Sequence, residues 1–343
     1  MEAEDFAAHL TATMTGSALT MLIGVGHRTG LFEAAARGRA TSAELAERAG
    51  LQERYVREWL GAMVTGGIFT YAEPHYTFPP EHARFLLGET ASNMMSSLLT
   101  LSAFTGILPD LERAFAEGGG VPRSAYGPYL ETLGAKPGDS WKHIYREHLV
   151  DGFFGAVPGL TDRLTAGARV LDLGCGTGNA IAVAARAFPA SRFTGLDINP
   201  NVVEQARGID LPNAGFAVGD AAELSADPPY DVITAFDAVH DQDRPDVVLR
   251  RVRGALAPDG LFFMVDTDFS SDVAANVGNP LAALTYSISL MYCTTTSLAE
   301  GGAALGAMWG REKARQMLAD AGFRHVDVLD SPRPQNCIYV CRP

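Results

Sequence analysis

The stretch Phe236-Asp237-Ala238-Val239-His240-Asp241-Gln242 sets an imidazole beside a carboxylate just past an apolar run. That run, Tyr230 to Phe236, reads as a strand, and the loop at the carboxyl end of a parallel strand is where ligands usually bind. Two chemistries suit the pair. In one, His240 is a general base that strips a proton from a hydroxyl while a carboxylate orients its ring. In the other, His240 and Asp241 are members of a metal site of the two-histidine, one-carboxylate kind that holds non-heme iron or another divalent transition metal. A metal chelated by an α-keto acid would stabilise the enolate and make the β-carbon nucleophilic. A hydrogen-bonded loop without catalytic work is the plain alternative.

Upstream, Arg169-Val170-Leu171-Asp172-Leu173 runs into Gly174-Cys175-Gly176-Thr177-Gly178 and then a helical stretch from Ala180 to Phe188. Glycines at a strand-to-helix turn allow positive φ and let a ligand approach main-chain N–H groups, which marks a nucleotide-type site. Asp172 is expected to order that turn. Asp197 ends a second strand about 20 residues on, where a carboxylate accepts hydrogen bonds from both ribose hydroxyls. Phe216-Ala217-Val218-Gly219-Asp220-Ala221 ends another strand in an acid suited to an adenine amino group. Glycine spacing alone leaves a dinucleotide fold open, and the two acidic stations narrow it.

Hydrophobic periodicity supplies the elements that must hold these residues. Leu249 to Leu256 reads as a helix, Pro258-Asp259-Gly260 as a turn and Leu261 to Asp266 as a strand. Arg311 to Ala321 is a helix capped by Gly322, and Phe323 to Leu329 and Asn336 to Cys341 are closing strands. Residues 270–310, between them, are expected to hang over the site as a lid. Near the start, Thr41-Ser42-Ala43-Glu44 is an N-cap signal, and Tyr55, Val56, Trp59, Leu60, Met63 and Val64 recur at helical spacing. Ile68 to Tyr71 and Tyr76 to Phe78 then form a hairpin around Glu73-Pro74-His75. The expected organisation is a winged-helix-like domain over 1–90, a helical connector over 91–164 that lines a substrate pocket, and an α/β domain over 165–343.

LDLGCGTG followed by GLDIN, VGDA and DVITAFDAVHD resembles the class I S-adenosylmethionine-dependent methyltransferase family at each station over about residues 150–343. The resemblance implies a Rossmann-like, mostly parallel seven-stranded sheet. It implies that Gly174, Gly176 and Gly178 cradle the methionine part, Asp197 the ribose and Asp220 with Ala221 the adenine, with Ile198 stacked on the base and Phe236 nearby. GGGVP before Arg123, FDAVHDQ and SLAEGGAALGAMWG look like a bacterial group that includes α-keto acid C-methyltransferases. That implies β-carbon methylation of an α-keto acid in natural-product biosynthesis, with O- or N-methylation by a metal-free His240 as the alternative. In that group the third metal ligand is a histidine, whereas this chain offers Tyr292 there; its phenolate or the Cys293 thiolate would ligate, His143 or His148 would substitute, or the metal is absent and His240 acts as base. Arg123 is placed to grip a substrate carboxylate.

Winged-helix modules also occur in DNA-binding regulators, but residues 1–90 carry 11 acidic against 7 basic side chains and the net charge is -13. Phosphate binding needs clustered cations, so the module is expected to pair two copies of the chain rather than grip nucleic acid. The four cysteines form no CxxC pair, and two lie in strand-like segments, which leaves them as buried thiols. Met1 to Asp5 lacks the positive charge of a targeting signal and no run of 18 uncharged apolar residues occurs. A cytoplasmic location without membrane attachment is the expectation.

Overall fold

The computed structural model describes residues 2–132 and 139–343, so Pro137 of the expected connector lies outside the described residues. The chain divides into two compact units, Met1–Gly106 with Tyr126–His143 and Ile107–Ala125 with Ile144–Pro343. The connector expected over 91–164 contributes segments to both.

In the first unit Thr41 caps the helix Ser42–Ala49 with a reciprocal box: its side chain accepts from the Glu44 backbone, and the Glu44 carboxylate accepts from the Thr41 backbone at 2.7 Å. Gly50, at φ 69°, ends that helix in the left-handed region. The following helix Glu53–Thr65 buries Val56, Trp59, Leu60 and Met63 at three- and four-residue steps. Strands β1 (Thr70–Ala72) and β2 (His75–Thr77) pair antiparallel as the wing. Phe32, Trp59, Phe69 and Phe78 meet beneath them, Phe69 stacked on Phe78 with centroids 4.9 Å apart. On the helix's outer face Arg57 pairs with Glu53 at 3.0 Å and Arg54 with Glu58.

The unit opens with a helix that the sequence reading does not name, Ala3–Arg28. The hydroxyls of Thr11, Thr13, Thr15 and Thr20 each donate to the carbonyl four residues back, so these side chains are satisfied within the helix. Among the described residues it is the one helix long and apolar enough to cross a membrane by length and composition. Phe6, Leu10, Met14, Met21 and Val25 stay exposed along one stripe.

The second unit is a seven-stranded sheet of β3 (Arg169–Leu173), β4 (Arg192–Asp197), β5 (Ala214–Val218), β6 (Tyr230–Phe236), β7 (Leu256–Thr267), β8 (His325–Asp330) and β9 (Asn336–Arg342). Its order is β5-β4-β3-β6-β7-β9-β8, parallel up to β7, with β9 antiparallel to both its neighbours. This is the Rossmann-like architecture that the glycine turn and acidic strand ends implied. Central strands covered on both faces should read as near-continuous apolar runs; β7 does over Leu261–Val265, and Val232–Phe236 of β6 is interrupted only by buried Thr234. Two local corrections apply. The helix before β7 starts at Pro245, four residues ahead of the expected start, because proline suits the first helical turn. Pro258-Asp259-Gly260 bulges out of β7 rather than separating a helix from a strand, and the register with β6 jumps from Tyr230↔Leu256 to Val232↔Leu261. All four cysteines are buried and free.

Thr41→Ala removes a cap whose loss costs about 1 kcal/mol. Urea unfolding followed by a probe in the first unit should show that decrease, with the transition of the second unit unmoved.

Candidate active site

Strand β3 delivers its chain into the glycine turn, where Gly174, Gly176 and Gly178 adopt φ of 70°, 51° and 77°. An added Cβ at Gly178 would strike Phe216 at 2.7 Å and Ile209 at 2.8 Å, so that position requires glycine twice over. At Gly176 a Cβ would meet nothing within 4 Å, and the main chain there borders open space. Asp197, at the end of β4, ties the turn together. Its Oδ2 accepts from the Gly176 N–H and its Oδ1 from the Asn199 N–H, both at 2.9 Å, which leaves lone pairs on each oxygen for a ligand's hydroxyls.

Asp172 is buried beneath the turn and accepts from the Thr234 hydroxyl at 2.7 Å. Burial pushes its carboxyl up to about 7, against the opposing effect of that hydrogen bond. Asp220, after β5, accepts from the Ala222 N–H and from Arg244, both at 2.8 Å, with Ala221 buried beside it. Ile198 is 54% exposed, an apolar face left open next to Asp197. Phe236 packs inward, edge-on to Tyr145 and Phe153 with centroids 5.1 and 5.9 Å away.

Beyond β6 the chain bends through Asp237, a non-glycine residue at φ 46°. Arg333 at 3.0 Å and Asn336 at 2.5 Å hold its carboxylate, which stabilises the unusual backbone. Burial raises the Asp237 carboxyl to about 6, moderated by Arg333. The bend returns His240 to the end of β7, where its Nδ1 lies 2.7 Å from Oδ1 of fully buried Asp266. In the neutral ring Nδ1–H donates to that carboxylate and Nε2 carries the lone pair; in the imidazolium both nitrogens bear protons. Burial disfavours the imidazolium, but the carboxylates of Asp266 and Asp241 outweigh it and hold the ring well above its usual pKa.

On the Nε2 side Asp241 Oδ1 approaches to 3.4 Å. That oxygen is buried and makes no hydrogen bond among the described residues. Cys293, on the π-helical turn Leu290–Thr294, completes a group whose three donor atoms lie within 4.8 Å of one another. Burial, then Asp241, pushes its thiol up. Tyr292 is half-buried, its phenol pushed up to about 12 by burial and Asp241, with Arg123 opposing. Arg123 donates to the Asp241 carbonyl at 2.9 Å. Among the described residues the group comprises His240, Asp241 and Cys293, without His148.

The sequence reading named the strand ending in Asp266 but gave that acid no role. Its signal was available: it closes an apolar run in the same way as Asp197 and Asp220. Cys293 carried no spacing signal, since the turn that presents it is irregular. Asp266→Asn removes the nearer, hydrogen-bonded charge partner and leaves Asp241 alone to oppose burial. The pKa of His240 should then fall by about one unit or more, read by NMR titration of labelled histidine.

Comparison with known proteins bears on both units. The Rv2258c-like winged HTH domain family matches residues 17–87, and a methyltransferase domain family matches residues 164–322. Acetylserotonin O-methyltransferase of Mus musculus is 31% identical over 291 residues, 74% of this chain and 71% of that protein. Among solved structures, the mitomycin 7-O-methyltransferase MmcR superposes with a TM-score of 0.70 at 20% identity, covering 99% of both chains. Human N-acetylserotonin methyltransferase in complex with SAM superposes with a TM-score of 0.73 at 17% identity, covering 100% of this chain and 99% of that one. At these identities the superpositions speak for the fold.

Proposed function

The chain belongs to the class I S-adenosylmethionine-dependent O-methyltransferase family with an N-terminal winged helix-turn-helix domain, and on that premise we propose that it methylates a hydroxyl oxygen of a small acceptor with His240 as general base. The observation that carries this reading is the buried His240–Asp266 pair, which fixes the imidazole through Nδ1 and leaves Nε2, on the opposite side of the ring from Asp266, as the atom that exchanges a proton with the acceptor. Two of the proteins above, acetylserotonin O-methyltransferase and mitomycin 7-O-methyltransferase, are named for oxygen as the acceptor, which moves the reading from the β-carbon of an α-keto acid towards a hydroxyl.

S-adenosylmethionine, when bound, supplies a methyl group activated by a sulfonium. The residues present fit it: main chain bordering open space at Gly176, in a turn that Gly174 and Gly178 shape, for the methionine part, spare lone pairs on Asp197 for the ribose, and Asp220, Ala221 and the exposed Ile198 for the adenine. Methyl transfer needs an in-line nucleophile, so this chain contributes orientation and proton removal. His240 Nε2 takes the hydroxyl proton, Asp266 stabilises the resulting imidazolium, and Arg123 anchors an anionic group of the acceptor. His240→Gln should lower kcat by about 10²–10⁴-fold. Calorimetric affinity for S-adenosylmethionine should stay at the wild-type value; full activity in the variant against a panel of phenols would remove the base assignment.

A second reading retains α-keto acid C-methylation with a metal at His240 and Asp241. The bare, buried Asp241 Oδ1 beside Cys293 Sγ favours it, with Tyr292 or Cys293 as third ligand. A divalent metal there would polarise a chelated keto acid, and Asp266 would orient the histidine ligand. Elemental analysis decides between the readings. A near-stoichiometric transition metal that is lost in His240→Gln supports the metal site, and metal-free turnover of a phenol supports the base.

The exposed stripe of the first helix suits a homodimer, since apolar surface of that length gains by leaving water. Arg54 and Arg57, which a duplex would need, are already paired with Glu58 and Glu53. With the stripe used between copies rather than in a membrane, the reading keeps the enzyme cytoplasmic, in secondary metabolism. Leu10→Glu with Met14→Glu should halve the mass found by sedimentation.

A further inference from the structure

We infer that Trp309 is a positioning residue for His240, acting through the single carboxylate oxygen that the two rings share. The inference rests on the reading of His240 as base. Asp266 Oδ1 accepts three donors: His240 Nδ1 at 2.7 Å, the Thr267 N–H at 2.8 Å and Trp309 Nε1 at 3.0 Å. The other oxygen, Oδ2, is buried and has no partner among the described residues. Every hydrogen bond that fixes the carboxylate therefore converges on one atom.

A carboxylate held by its own strand's backbone and one movable ring can still turn about its Cβ–Cγ bond. A third donor from a different element fixes that rotation. The Trp309 indole suits the task because it is itself immobile. It is 4% exposed within the core of the second unit. Its carbonyl accepts from Ser271 Oγ at 2.6 Å, and Gly310 beyond it, at φ 78°, lies so close to Ser271 that an added Cβ would meet the backbone nitrogen at 2.1 Å. The Thr267 hydroxyl also donates to the Ala307 carbonyl, which fastens the end of β7 to the same segment. A buried indole N–H needs an acceptor, and many carbonyls would satisfy it. Here the acceptor is the atom that sets the imidazole's tautomer and direction, which makes Trp309 part of the support on which a preorganised base depends.

The test replaces Trp309 by benzothienylalanine, which keeps the shape of the ring and lacks the N–H, alongside Trp309→Phe. In the wild type the His240 Nδ1–H proton should give a sharp, far-downfield NMR resonance. In the isostere it should broaden or vanish, and kcat on the best acceptor of the phenol panel should fall about tenfold with KM and affinity for S-adenosylmethionine unchanged. Trp309→Phe should add a loss of thermal stability to the same changes. An isostere with a wild-type resonance and a wild-type kcat would overturn the proposal and reduce Trp309 to packing. Failure of the base reading shows separately, as undiminished turnover in His240→Gln.

Discussion

A buried ion has to be matched by a partner, and in the second unit that requirement falls on the contact between His240 and Asp266. Both side chains are almost wholly out of water, and a carboxylate so placed is tolerable only when hydrogen-bonded donors surround it. The sheet meets that demand through register. Phe236 pairs with Val265, so β6 and β7 end side by side, and the Asp237 N–H still reaches the Val265 carbonyl. The left-handed bend at Asp237 then turns the chain back by three residues. Arg333 and Asn336, from the approach to β9, hold that bend, so even the antiparallel edge of the sheet supports the geometry of one imidazole.

The glycine turn answers a different demand. A ligand that is to be held by main-chain amides needs backbone without side chains, and the backbone needs an external restraint once side chains are gone. Asp197 is that restraint, reaching from the neighbouring strand to the Gly176 N–H. Asp172, below, fastens β3 to β6 through Thr234. The two acids have opposite surroundings, one buried and one partly open, and only the open one keeps capacity for a ligand.

Much of this was legible because it is local. The glycine run, the acids at strand ends, the Thr41–Glu44 box and the hairpin each lie within a few residues of what they do, and the strand order follows from where those acids fall. The pairing of His240 with Asp266 spans 26 residues and that of Trp309 with the same acid spans 43, so neither leaves a spacing signal. Cys293 was legible only as a neighbour of Tyr292, because a π-helical turn breaks the periodicity that would have assigned it a face. Phe236, named for its place at a strand end, points into an aromatic cluster that no pattern of single residues specifies.

The division of labour between main chain and side chain has a consequence for how such a molecule changes over generations. On the proposed function, donor recognition falls largely to amides that every amino acid possesses and to glycines held at positive φ, so that part is conservative by construction. The groups that would face an acceptor, Arg123, Tyr292 and Cys293, are carried on segments outside the sheet, where replacement disturbs no strand pairing. One scaffold can therefore drift from acceptor to acceptor by exchange of a few peripheral positions, while the machinery that presents the methyl group is inherited intact.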